Sequence, residues 1–326
     1  MLTRRKRVGN FINAAMAMPG TLAVLLAVVL AVAVMGLSGC ALRSNTAKGG
    51  GAQGDGARVR IVTSFYPVYL TVINMTKDVP GVEVVNMTQP QTGCLHDYQL
   101  KPQDVEMLDR ADLFVINGAG METFMAKLLA QRGDLKVLDA SAGVSLLYGG
   151  DGAANAHYWL DLDGVLRQAQ NVSNELKKID AAHAAQYAEN YVEFSHRLEA
   201  LAGTMRTDLE SLKGKEIVTF HEAFPYFAKM FGLKIAAVIE RDPGVAPTPS
   251  ELEKIIATVK ELGVKALFAE PQYAPKAAEV IAQETGAQVY SLDPIVTGVA
   301  NLDAMDDYFR KMEQNFKTLK LALGVQ

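Results

Sequence analysis

The sequence predicts an α/β protein of two related lobes, each built on a mainly parallel four-stranded sheet and joined by one long rigid helix. Three observations carry this. Short β-branched runs alternate with helical-period segments in both halves of the chain, the pattern of βαβ units laid on a parallel sheet. The order of those runs repeats between the halves. Between them lies an apolar stripe with the spacing of a single helix. The organisation read from this is residues 1–39 as a signal peptide, 40–57 as a tether, 58–180 as the first lobe, 181–213 as the linking helix and 214–326 as the second lobe.

The N-terminus reads as an address. Arg4, Arg5, Lys6 and Arg7 precede an uncharged apolar run, Leu22 to Met35, which ends at Leu37-Ser38-Gly39-Cys40. Fourteen apolar residues are short for about 30 Å of hydrocarbon, so the run reads as a signal and not as a permanent span. Its ending resembles the lipobox of bacterial lipoproteins, which implies a lipid on Cys40. Removing residues 1–39 takes away four basic and no acidic residues, leaving 28 against 36 and a balance of −8. Such a chain is not drawn to nucleic acid or to anionic headgroups, so acyl chains would have to hold it at the membrane. Ala41 to Ala57, rich in Gly, Ala and Ser, reads as a flexible tether. With Cys40 lipidated, the only other cysteine, Cys94, has no intrachain disulfide partner.

Folding signals begin at Arg58. Strand-like runs are Val59–Thr63, Val82–Met87, Leu113–Asn117 and Lys136–Leu138, with helical segments at Pro102–Arg110 and Glu122–Gln131. The second half repeats the order with Glu216–Phe220, Lys234–Ile239, Lys265–Ala269 and Gln288–Leu292, and with helices over Ser250–Leu262 and Pro275–Gly286. Ile61-Val62-Thr63 recurs as Ile217-Val218-Thr219, and Leu113-Phe114 as Leu267-Phe268. Between the halves, Tyr187, Tyr191, Phe194, Leu198, Leu201, Met205, Leu209 and Leu212 are spaced by three or four residues. A helix over Ala181–Lys213 would run roughly 45–50 Å and favour small rocking motions over wide hinge opening.

Five histidines punctuate the chain. His183 and His196 fall on the long helix, off its apolar stripe, and read as solvated. The other three sit in loops or at strand ends: His96 in Gly93-Cys94-Leu95-His96, His157 after Asn155-Ala156, and His221 directly after a buried strand. Glu270 and Asp293 also follow strands, and the carboxyl edge is where open α/β sheets bind ligands. In the repeat, the slot of His221 is held by Phe65 in the first half. Three imidazoles and a carboxylate suit a borderline cation such as Zn²⁺. Taken singly, each histidine reads more readily as a hydrogen-bonded loop residue than as a ligand, and there is no HExxH or CxxC run to decide the matter.

A set of motifs in order does decide it: His96-Asp97-Tyr98 with Lys101-Pro102 and Asp104; Ala111-Asp112-Leu113 with Asn117-Gly118 and Met121-Glu122; His157-Tyr158-Trp159-Leu160-Asp161; Thr219-Phe220-His221 with Ala223-Phe224; Glu270-Pro271-Gln272; and Leu292-Asp293-Pro294. From about Ile61 onward the chain resembles the metal-binding lipoproteins of bacterial ABC transporters, the zinc and manganese solute-binding family. The resemblance implies His96, His157, His221 and Asp293 as metal ligands. Glu270 is expected behind them, supporting a ligand. Cys94 could be a soft ligand but reads first as a small buried thiol.

The implied activity is capture of a divalent metal outside the membrane and delivery to an ABC permease and its ATPase, by a monomer anchored through Cys40. Manganese carriers of the family often have Glu where His221 stands, so Zn²⁺ is favoured and Mn²⁺ is the alternative. Zinc carriers often have a His-rich loop before the His157 motif, whereas Tyr148–Asn155 here contains no histidine. Two other readings compete: a zinc hydrolase with an open water position and Glu270 as base, and a surface adhesin holding a metal.

Overall fold

The protein was described from a computed structural model, which places residues 59–150, 152–206, 209–239, 247–272 and 275–325. The signal segment, Cys40 and the whole of the tether lie outside the described residues.

The first half runs β1 (Val59–Thr63), α1 (Tyr66–Met75), β2 (Val82–Asn86), α2 (Pro102–Leu108), β3 (Leu113–Ile116), α3 (Ala126–Gln131) and β4 (Val137–Asp139). Helices α4 (Leu162–Ile179), α5 (Ala184–Arg206) and α6 (Leu209–Leu212) follow. The second half runs β5 (Glu216–Thr219), α7 (Pro225–Met230), β6 (Lys234–Val238), α8 (Pro249–Leu262), β7 (Ala266–Ala269), α9 (Lys276–Thr285), β8 (Gln288–Ser291) and α10 (Asp307–Ala322). Each half forms a four-stranded sheet, in the order β2-β1-β3-β4 and β6-β5-β7-β8, and every pairing is parallel. The repeat is therefore topological. In detail it differs from the sequence echo: Val62 pairs with Phe114 while Val218 pairs with Leu267. The two Leu-Phe dipeptides are thus one residue out of register, because a β-strand presents one face or the other and the two positions swap sides.

Local chemistry sets the ends of these elements. Pro67, Pro102, Pro225 and Pro249 stand in the first turns of their helices, where a missing N–H costs nothing. The Asp104 carboxylate accepts from Lys101 N at 2.8 Å, as Glu251 does from Thr248 N at 2.8 Å, so equivalent helices are capped alike. The long helix begins three residues later than the span 181–213 predicted. Ala181–His183 form a 3₁₀ turn, and α5 starts only at Ala184. Asp180 causes the break, since its carboxylate binds both His183 Nδ1 and Tyr187 OH at 2.7 Å. His183 therefore sits in the turn, paired and half-exposed, while His196 is exposed. The 23 residues of α5 span about 34 Å.

Of the stripe, Tyr187, Phe194, Leu198, Leu201, Met205 and Leu212 are buried. They belong to one apolar cluster that runs from Ile61 and Phe65 of the first half, through Trp159, to Phe224, Phe231 and Phe316 of the second. Smaller clusters cover the other sheet faces, around Val62 and Phe114 and around Val218 and Leu267, as parallel sheets require. Hydrogen bonds cross between the halves as well: Tyr66 OH donates to Asp307 Oδ2 at 2.6 Å, Trp159 Nε1 to the Pro294 carbonyl at 2.8 Å, and Tyr308 OH to the Trp159 carbonyl at 2.9 Å.

Candidate metal centre

The site forms where the carboxyl ends of both sheets face each other. β5 delivers His221, 1% exposed, two residues past its last strand residue. From the other half, His157 precedes a 3₁₀ turn whose Tyr158, Trp159 and Leu160 are all buried, which pins the loop. The loop after β2 brings Cys94 and His96, anchored by fully buried Leu95 between them. These ends meet beside an open cavity of about 480 Å³, lined by His96, His157 and His221 together with Ala119, Gly120 and Asn155 among others.

The imidazoles are aimed. Asn155 Oδ1 accepts from both the backbone N–H and Nδ1 of His157 at 3.0 Å. Glu270, which follows β7, receives Nδ1–H of His221 on one oxygen and Gln272 Nε2, at 2.6 Å, on the other. Each ring thereby keeps its hydrogen on Nδ1 and turns the Nε2 lone pair inward. Cys94 Sγ lies 3.4 Å from His157 Nε2 and 3.6 Å from His221 Nε2. The ring centroids of His96 and His157 are 5.4 Å apart, and those of His157 and His221 5.3 Å.

Burial weighs against charge on His157 and on Cys94. Burial, reinforced by His221 and His96, holds His157 well below the usual imidazole range. Burial, with the Glu270 carboxylate nearby, pushes the Cys94 thiol well above its usual range. Burial also raises Glu270, against the opposing pull of its hydrogen bond with His221.

Among the described residues, the donor atoms that lie within 4.8 Å of one another are those of Cys94, His157 and His221. His96 stands next to His157 but is exposed at the cavity rim. Asp293 is engaged elsewhere. Its Oδ2 pairs with Lys311 Nζ at 2.7 Å and its Oδ1 accepts from Ile295 N at 2.7 Å. The backbone of its loop is strained, with Ile295 at φ +64°, a region β-branched residues rarely enter. As a ligand, Asp293 would offer an oxygen that already accepts one of these contacts. The sequence reading passed over Asn155 and Gln272, although each lies two residues from a candidate, and it gave Cys94 the blander role.

A wall of the cavity is built by the Asn117–Gly120 turn. Gly118 takes φ +79°, and a Cβ there would come within 1.8 Å of Asp139 Oδ1. The Glu122 carboxylate holds the turn by accepting from Asn117 N at 2.7 Å and Gly118 N at 3.0 Å.

A two-lobed α/β body with buried, inward-turned imidazoles between its sheets defines a metal-binding solute-binding protein. Comparison with known proteins agrees. The family described as "ZnuA: Zinc-uptake complex component A periplasmic" matches residues 61–322, and the chain belongs to it. The zinc uptake protein ZnuA of Bacillus subtilis is 28% identical over 300 residues, covering 86% of this chain and 93% of its own. Among solved structures, the solute-binding protein FpvC from Pseudomonas aeruginosa in complex with Mn²⁺ superposes with a TM-score of 0.73 at 30% identity, over 82% of this chain and 98% of that one. The laminin-binding protein Lmb of Streptococcus agalactiae, described as having adhesin and metal-transporting activity, gives 0.72 at 29% identity, over 82% and 99%.

Proposed function

We propose that this protein captures a divalent cation between its lobes outside the cytoplasmic membrane and hands it to an ABC permease driven by its ATPase. Zn²⁺ is the favoured cargo and Mn²⁺ the alternative. His96, His157 and His221 bind the ion, Glu270 and Asn155 hold two of the rings in place, and a lipid on Cys40 keeps the protein at the membrane. The observation that carries the reading is the pair of buried imidazoles, one from each half, with both Nε2 atoms turned to a common point. A ligand set drawn from both halves closes around the ion, and release then follows when the permease shifts one side against the other. The family is one of transport components and not of enzymes, so the Glu270 carboxylate serves His221 and not a water nucleophile.

Isothermal titration with Zn²⁺ tests this. The wild-type chain is expected to bind one equivalent, and His221→Ala to lose at least about 100-fold in affinity while keeping its circular dichroism. Unchanged titration of the variant would overturn the assignment.

A further inference from the structure

Resting on the capture reading, we propose that Cys94 is itself a ligand: its sulfur binds the cargo directly, beside His157 and His221, and makes the site a selector for soft cations.

The argument is geometric. A tetrahedral zinc with sulfur at about 2.3 Å and nitrogens at about 2.0–2.1 Å sets each sulfur–nitrogen edge near 3.5 Å. The two edges in the structure are 3.4 and 3.6 Å. Two buried imidazoles, 3% and 1% exposed, turn to that sulfur the nitrogens that their own hydrogen bonds leave unprotonated. These two edges match those of a tetrahedral site, all three donor atoms lie within 4.8 Å of one another, and His96 borders the open side where a fourth donor enters. Asp293, the carboxylate expected from the sequence, is committed to Lys311 and to the Ile295 amide.

The balance of the step is simple. The sulfur–metal bond forms, the thiol proton leaves through the open cavity to water, and no electron changes hands. The consequence is selectivity. Thiolate sulfur favours Zn²⁺ over Mn²⁺, which prefers oxygen donors, so Cys94 raises the affinity for one cargo more than for the other.

The test uses the purified full chain with Co²⁺ as a spectroscopic stand-in for Zn²⁺, and Zn²⁺ against Mn²⁺ in competition titrations. The wild-type Co²⁺ complex is expected to show sulfur-to-cobalt charge transfer in the near ultraviolet. Cys94→Ser removes that band, and Asp293→Asn retains it. Cys94→Ser also weakens Zn²⁺ binding by about 100-fold while changing Mn²⁺ binding by no more than about threefold. A wild-type chain that takes up Co²⁺ stoichiometrically without the band overturns the proposal alone, as does a Cys94→Ser chain with an unchanged Zn²⁺-to-Mn²⁺ ratio. A wild-type chain that binds neither Zn²⁺ nor Co²⁺ overturns the capture reading with it.

Discussion

Glu122 illustrates how one buried carboxyl in the turn beside the cavity makes stability depend on pH. Its carboxyl is pushed up to about 7 by burial, which outweighs the backbone amides of Asn117 and Gly118 that favour the charged form. Because the folded-state value lies above the unfolded one of 4.5, the native state holds the proton more tightly. Its stabilisation is full below pH 4.5 and is lost as pH rises toward 7, a swing of about 3 kcal/mol. In urea titrations at pH 5 and pH 8, the wild-type chain should lose more stability with rising pH than Glu122→Gln does, and parallel behaviour of the two would count against this. At the same scale, His157 and His221 are legible in the sequence because polar residues after buried strands and in turn-rich loops stand out. The placement of Cys94 against their Nε2 atoms is not, since a thiol is equally at home as a small apolar filler. The commitment of Asp293 to Lys311, 18 residues away, is tertiary and leaves no local signal.

At the level of elements, the central strands β1, β3, β5 and β7 were readable because they are largely buried, so each appears as a short apolar run. Helix α1 was harder. All ten of its residues are buried, and a helix apolar on every side loses the 3.6-residue contrast that marks an amphipathic one. The predicted span 181–213 contains α5 but begins three residues before it, where Ala181–His183 form a 3₁₀ turn and Asp180 holds His183 and Tyr187. The buried face of α5 is what joins the halves. Leu198→Ala, at a site 3% exposed in the shared cluster, is expected to cost about 2–5 kcal/mol. A change in the urea midpoint corresponding to less than about 1 kcal/mol would mean that the helix lies over the core and does not form part of it.

For the whole molecule, one apolar cluster spanning both sheets argues for one cooperative unit. Thermal unfolding should show a single transition, raised by Zn²⁺ in proportion to the logarithm of its free concentration, about 2.7 kcal/mol at one hundred times Kd. Two resolved transitions, only one responding to Zn²⁺, would contradict this. The two-lobed outline and the parallel four-stranded sheets were legible because strand–helix alternation constrains topology strongly. The fusion of the two interiors was not, since pattern marks which residues are buried but not against which neighbours.

That fusion bears on how such a chain can be divided. Phe65 packs edge-on against Trp159 at 5.2 Å, and Trp159 is in turn tied to Pro294 and Tyr308 far along the polypeptide. A fragment ending before β5 would leave these aromatic rings facing water, and one beginning there would lack their counterparts. The symmetry visible in the strand orders is therefore not a seam. Neither half can be lent to another protein as an interchangeable part, and the polypeptide gains its lasting shape only once its final helix has arrived.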